Sequence, residues 1–107
     1  MESFLEAVKR RVLVCDGAMG TMLYAKGVFI NKSFDALNLS DPVLVGDVHK
    51  AYLRAGADVI ETNTFGANRI KLASFGLADR LHDINVAGAR IARDAARRSV
   101  LDRKSVV

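Results

Sequence analysis

The chain of 107 residues contains no tryptophan, one proline, one cysteine and two tyrosines. A lone thiol cannot close an internal disulfide, so the fold must rest on a packed core. No CxxC, HExxH or EF-hand loop occurs. One cysteine and two distant histidines, His49 and His82, assemble no metal site. Every apolar run falls far short of the roughly 20 residues that span a bilayer. The opening MESFLEAVKRR carries Glu2 and Glu6 and lacks the apolar stretch of a secretory leader. These absences predict a cytoplasmic protein with no membrane partner. Low-complexity segments and short repeats are also missing.

What is present is the balance of a soluble globular domain: 50% apolar and 26% charged residues. The net charge of +4 is concentrated late, in Arg90, Arg93, Arg97, Arg98, Arg103 and Lys104. A basic segment can bind nucleic acid. Here Asp83, Asp94 and Asp102 interrupt it, and Asp94 stands four residues before Arg98, a mildly favourable helical pair. The segment therefore reads as a solvated helix face, and no nucleic-acid partner is expected.

Elements alternate along the chain. Glu2–Lys9 can form a short amphipathic helix with Phe4, Leu5 and Val8 on one side. Val12–Cys15 is apolar and rich in β-branched residues, as in a buried strand. Gly17 and Gly20 break it, and Thr21–Ala25 starts a brief helix that Gly27 stops. Val28–Leu39 reads as a loop anchored by Phe29, Ile30, Phe34 and Leu37. Ser40 or Asp41 can cap a helix with Pro42 in its first turn, an inner stripe of Leu44, Val45, Val48, Tyr52 and Ala55, and Gly56 as its stop. Asp58–Thr62 is a second strand. Helices follow over Asn68–Phe75 and Leu81–Val100, the latter with Leu81, Ile84, Gly88, Ile91 and Ala95 inside. Ser105–Val107 resembles the first residues of a third strand. Strands alternating with helices predict an α/β fold with a parallel sheet. Two strands and a stub cannot cover themselves, so the chain reads as a piece of a larger fold, or as one that completes itself with a partner.

In parallel α/β folds ligands bind beyond the carboxyl ends of the strands. Asp16–Thr21 and Thr62–Gly66 fall there. Asp16 beside backbone N–H groups at Gly17 suits a ligand with one cationic and one anionic group, such as an amino acid; Asn63 and Thr64 add neutral donors and acceptors. Each has a plainer reading. Asp16 can cap its own turn, the glycines can serve chain geometry, and Asn63 and Thr64 can bond local backbone. Cys15 reads as a small core residue, Met19 and Met22 as packing, and His49 and His82 as surface or hydrogen-bonded side chains. Gly17-x-x-Gly20 is no phosphate-binding P-loop, since no lysine follows, and no dinucleotide fingerprint occurs.

Three segments, RVLVCDGAMGTML (11–23), AYLRAGADVIETNTFGAN (51–68) and INVAGARIARDAA (84–96), together resemble the N-terminal part of the homocysteine S-methyltransferase domain. The resemblance is collinear over nearly the whole chain. The short link between DGAMGT and the Asp41–Pro42 helix is more like the bifunctional type that carries a methylenetetrahydrofolate reductase than like the cobalamin-dependent synthases.

The resemblance implies a (β/α)₈ barrel of which residues 1–107 supply two to three βα units, and methyl transfer to homocysteine to give methionine. It also implies a zinc ion on three cysteines that holds the substrate sulfur as thiolate. The methyl donor would be a folate or cobalamin species, with FAD if a reductase module follows. By position, Asp16 would face the substrate ammonium and the Gly17 N–H its carboxylate, with Asn63 and Thr64 in the same pocket. The family's zinc cysteines lie later than this chain reaches, and Cys15 matches none of them. The chain alone is therefore expected to be inactive, and to self-associate if the incomplete barrel is left uncovered. A second reading is a stand-alone α/β small-ligand module that oligomerises without catalysis. A third is a nucleic-acid-binding fragment.

Overall fold

The computed structural model describes residues 2–102. Six helices dominate it, and three of them start at a capping side chain. The Ser3 side chain accepts from the Glu6 N–H at 3.2 Å and caps α1, Phe4–Arg10. α2 is Met19–Ala25 and begins two residues before its expected start. α3, Leu37–Ser40, lies in a stretch expected to be loop. The Asp41 carboxylate accepts from the Leu44 N–H at 3.3 Å and caps α4, Pro42–Arg54, where Pro42 occupies the first turn. Asn68 does the same for α5, Arg69–Ala73, with Lys71 N–H at 2.8 Å. A 3-10 turn over Ala78–Arg80 leads into α6, Leu81–Asp102. Gly56 and Gly76, after α4 and α5, take φ of +110° and +72°, the left-handed backbone that ends a helix without steric cost only in glycine.

The two expected strands do lie side by side and parallel, but among the described residues they form no ladder. One parallel bridge joins Cys15 to Val59. Val14 O accepts from Asp58 N–H at 2.8 Å and Val59 N–H at 3.2 Å, and Val59 O accepts from Asp16 N–H at 2.9 Å. A salt bridge from Arg11 Nη1 to Asp58 Oδ1 at 3.1 Å, and a bond from Val14 N–H to Asp58 Oδ2 at 3.0 Å, clasp the lower end of the pair. Two parallel segments without a third neighbour gain too few bonds to make a stable ladder, so the expected α/β sheet is reduced to this bridge. The third strand, at Ser105–Val107, lies outside the described residues.

The helices cover one side only. α4 packs along α6, with α3 and α2 beside it. Val45 and Val48 from α4, Leu23 from α2 and Ile84 from α6 are fully buried, and Leu72 closes a smaller cluster with Ala67 and Ile84. On the other side, Val12 is 86% exposed and Val14 56%. Cys15 is exposed too, not the core residue expected, because the sheet neighbour that would cover it is missing among the described residues. Phe29 and Ile30 anchor nothing and are exposed, while Phe34 and Leu37 are half-buried. In α1 only Ala7 is buried; Phe4, Leu5 and Val8 face outward. The late arginines Arg90, Arg93, Arg97 and Arg98 are exposed, as a solvated face requires. No helix among the described residues is long and apolar enough to cross a membrane.

Candidate functional site

The clasped pair delivers Asp16 and Glu61 to one edge of the fold. There the Asp16 Oδ2 accepts from the Glu61 N–H at 3.1 Å, tying the ends of the two segments together. Beyond them opens a cleft of about 580 Å³, the size of a small-molecule site. Asp16, Gly17 and Asn63 all line it; Thr64 does not.

Each of these residues has a defined neighbourhood. Asp16 is half-buried, and its second oxygen, Oδ1, makes no hydrogen bond among the described residues. The Gly17 N–H likewise has no partner among them. A Cβ on Gly17 would stand 2.9 Å from Tyr52 Oη, so the loop rests on that ring. The Tyr52 hydroxyl donates to Ala18 O at 2.7 Å and fixes the loop from below.

Asn63 is 5% exposed and works inward. Its Nδ2 donates to Phe34 O at 2.9 Å and to Asn38 Oδ1 at 3.0 Å, while its backbone oxygen accepts from Asn38 Nδ2 at 2.8 Å. Asn38 Nδ2 also reaches Ile84 O at 3.1 Å. Both donors of Asn63 are thus used within the protein, leaving its oxygen as the remaining polar atom. Thr64 shares a hydroxyl hydrogen bond of 2.6 Å with Thr62 and packs toward Gly88 of α6.

Sequence reasoning missed Asp35, Asn38, His49 and Tyr52. Asp35 is 8% exposed, lines the cleft, and accepts from the Gly66 N–H at 3.2 Å through Oδ1. Burial pushes its carboxyl above the ordinary carboxylate value; the Gly66 hydrogen bond and the Lys71 charge pull the other way. His49, expected at the surface or hydrogen-bonded, is fully buried, and neither ring nitrogen finds a partner. Burial pushes its pKa below the ordinary imidazole value, opposed by the Asp16 charge. None of these four carries a local motif. Their roles depend on contacts across 25 residues or more, which a lone side chain in a sequence does not announce.

The chemistry on offer is polar recognition: a carboxylate oxygen and an unpaired N–H on adjacent residues, at the mouth of a cleft. No group of three His, Cys, Asp or Glu side chains among the described residues is placed to hold a metal ion.

Residues 13–106 match the family model for homocysteine S-methyltransferase. The chain belongs to the homocysteine S-methyltransferase family. Methionine synthase of Mycobacterium tuberculosis (strain ATCC 25618 / H37Rv) is 39% identical over 98 residues, covering 86% of this chain and 8% of that protein. Methionine synthase of Mycobacterium leprae (strain TN) is 38% identical over the same length, again 86% of this chain and 8% of that protein. The chain thus spans a small part of these curated relatives. Among solved structures, the metallated form of the homocysteine methyltransferase MmuM from Escherichia coli superposes with a TM-score of 0.81 at 26% identity, covering 94% of this chain and 36% of that one. The homocysteine S-methyltransferase family is therefore shown both by sequence and by backbone likeness, although the strands here amount to one bridge.

Proposed function

We propose that this chain forms the amino-acid-binding wall of a homocysteine S-methyltransferase that makes methionine, built as the N-terminal βα units of a (β/α)₈ barrel. One observation carries the reading. Asp16 and Gly17, whose Oδ1 and N–H are unbonded among the described residues, line a ligand-sized cleft at the shared end of two parallel segments. The Asp16 carboxylate binds the substrate ammonium. The Gly17 N–H donates to its carboxylate, and Asn63 holds the floor by fixing Phe34 against the loop. Thr64 supports the wall from behind instead of touching the substrate.

The zinc ion implied by the family resemblance does not fit the described residues, which offer one exposed cysteine and no three-ligand cluster. We assign it to polypeptide outside this chain and derive no step through it. The methyl donor, folate or cobalamin, and an FAD-bearing reductase module would belong to other segments as well. The chain alone holds substrate without transferring a methyl group.

The test is Asp16→Ala in a polypeptide that includes the downstream barrel. A charge-assisted hydrogen bond is worth about 1.5–3 kcal/mol, so homocysteine affinity should fall roughly 10- to 100-fold. Unchanged affinity would sink the reading. A second reading, self-association, is favoured by the uncovered Val12, Val14 and Phe65. Solution mass from light scattering decides it: a single-chain mass excludes a stable oligomer.

A further inference from the structure

The cleft is walled by two loops, 16–20 and 62–66, and by a third segment that touches both. That segment is a tight turn before α3, in which Leu37 N–H donates to Phe34 O at 3.2 Å and Asn38 N–H to Asp35 O at 3.1 Å. Its residue Phe34 lies against the first loop: a Cβ on Gly20 would stand 3.2 Å from Phe34 Cε2. The next residue, Asp35, holds the second loop. Its Oδ1 accepts from the Gly66 N–H at 3.2 Å, and a Cβ on Gly66 would stand 2.6 Å from its Oδ2, so only glycine allows this approach. A carboxyl at 8% exposure is costly to bury. An alanine in the turn would avoid that cost, and what the carboxyl adds is the grip on Gly66. Asp16 Oδ2 and the Glu61 N–H join the two loops at their roots. Farther along, at Gly20 and Gly66, the contacts between them run through Phe34 and Asp35.

We propose that Asp35 is a positioning residue for the cleft: by gripping the Gly66 N–H it seats the Phe34 ring against Gly20, and so sets the spacing between the loop that carries Asp16 and Gly17 and the loop that carries Asn63. Asp35 acts through Phe34 and not on the substrate. Asn63 Nδ2, which donates to Phe34 O at 2.9 Å, holds the same turn from the side of the second loop. The inference rests on the proposed function, since it assigns Asp35 to the support of that amino-acid site.

The first measurement involves no ligand. In amide spectra and hydrogen exchange of the chain, the Gly66 N–H should be protected in the wild type and in Asp35→Asn, which keeps an acceptor oxygen. In Asp35→Ala it should exchange about tenfold faster, the equivalent of one hydrogen bond. The Gly17 and Gly20 amide signals, on the other loop, should move in Asp35→Ala and return in Asp35→Asn. Unmoved Gly17 and Gly20 signals in a folded Asp35→Ala overturn the proposal, and so does an Asp35→Asn that behaves like Asp35→Ala. The second measurement is homocysteine affinity in a polypeptide that includes the downstream barrel. Asp35→Ala should bind about tenfold more weakly, and Asp35→Asn within about threefold of wild type. If Asp35→Ala fails to fold, Phe34→Leu decides: it leaves the grip on Gly66 and withdraws the ring from Gly20, so Gly66 stays protected while binding weakens about tenfold. Wild-type affinity in Phe34→Leu overturns the proposal. Coupled loops in a polypeptide that binds no homocysteine would instead overturn the proposed function and leave the Asp35 link standing.

Discussion

Gly88→Ala sets two effects of opposite sign against each other. Gly88 sits inside α6, where alanine is favoured over glycine by about 1 kcal/mol. By propensity alone the substitution should stabilise. The structure reverses this. A Cβ there would lie 2.8 Å from Asn38 Nδ2, 2.9 Å from Thr64 Cγ2 and 3.3 Å from Asn63 O. Asn38 Nδ2 cannot withdraw freely, because it donates to Asn63 O at 2.8 Å and Ile84 O at 3.1 Å. Losing those two bonds costs about 1 kcal/mol each, and overpacking adds about 1–3 kcal/mol. After the helix gain, a net loss of about 2–4 kcal/mol remains, or on the order of 10 °C in midpoint for a chain of this size. Thermal and urea unfolding followed by circular dichroism read it directly. Gly46→Ala is the matched control: it also lies within a helix, but its Cβ would meet only Ile91 Cγ2, at an ordinary 3.7 Å. That variant should gain up to about 1 kcal/mol. If Gly88→Ala proved as stable as Gly46→Ala, the close approach of α6 to the Asn38–Asn63 pair would be refuted.

Asp35 is held above its ordinary pKa of 3.8 by burial, so its native state prefers the proton. Its contribution to stability therefore falls as pH rises from about 4 through its raised native value, and is level above that. Asp35→Asn should remove that slope; the difference between the variant and wild-type unfolding curves from pH 4 to 7 measures it. His49 has the mirror-image behaviour: its native pKa lies below the ordinary 6.5, so stability is full above that value and drains away as pH falls below it. In His49→Leu the acid-side loss should shrink, as urea midpoints at pH 5 and pH 7.5 would show, and equal losses in both proteins would contradict it. Tyr52→Phe deletes the hydrogen bond to Ala18 O and should cost about 1 kcal/mol in urea unfolding, with no change in the slope of the transition.

Much of the helical frame was legible because its signals are local. Asp41 followed by Pro42, the stripe through Val45 and Val48, and the glycines at 56 and 76 each act within a turn or two of themselves. The position of Asp16 beyond an apolar run was legible for the same reason. α3 was not, since LNLS has no periodicity to detect and its helical turn is set by bonds back to Phe34 and Asp35. The burial of His49 escaped notice because one polar residue on an apolar helix face is indistinguishable, in sequence, from one at its edge. The two apolar runs were expected to be buried strands; among the described residues they form one bridge and stay largely exposed, because a run fixes only what a segment could pair with. How far it pairs depends on neighbours, and Val12 at 86% exposure has none on its outer side among the described residues.

The clasp of Arg11, Val14 and Asp58 sits at the opposite end of the parallel pair from the cleft. With hardly any ladder between the two segments, this grip sets their register together with the Asp16 bonds to Val59 and Glu61, and a slip of one residue would turn Asp16 to the other face. A chain that kept every residue of the pocket but lost the carboxylate at 58 would hold the right groups in the wrong alignment. The placement of Asp16 at the cleft thus has a foundation stone that no survey confined to the cleft would pick out.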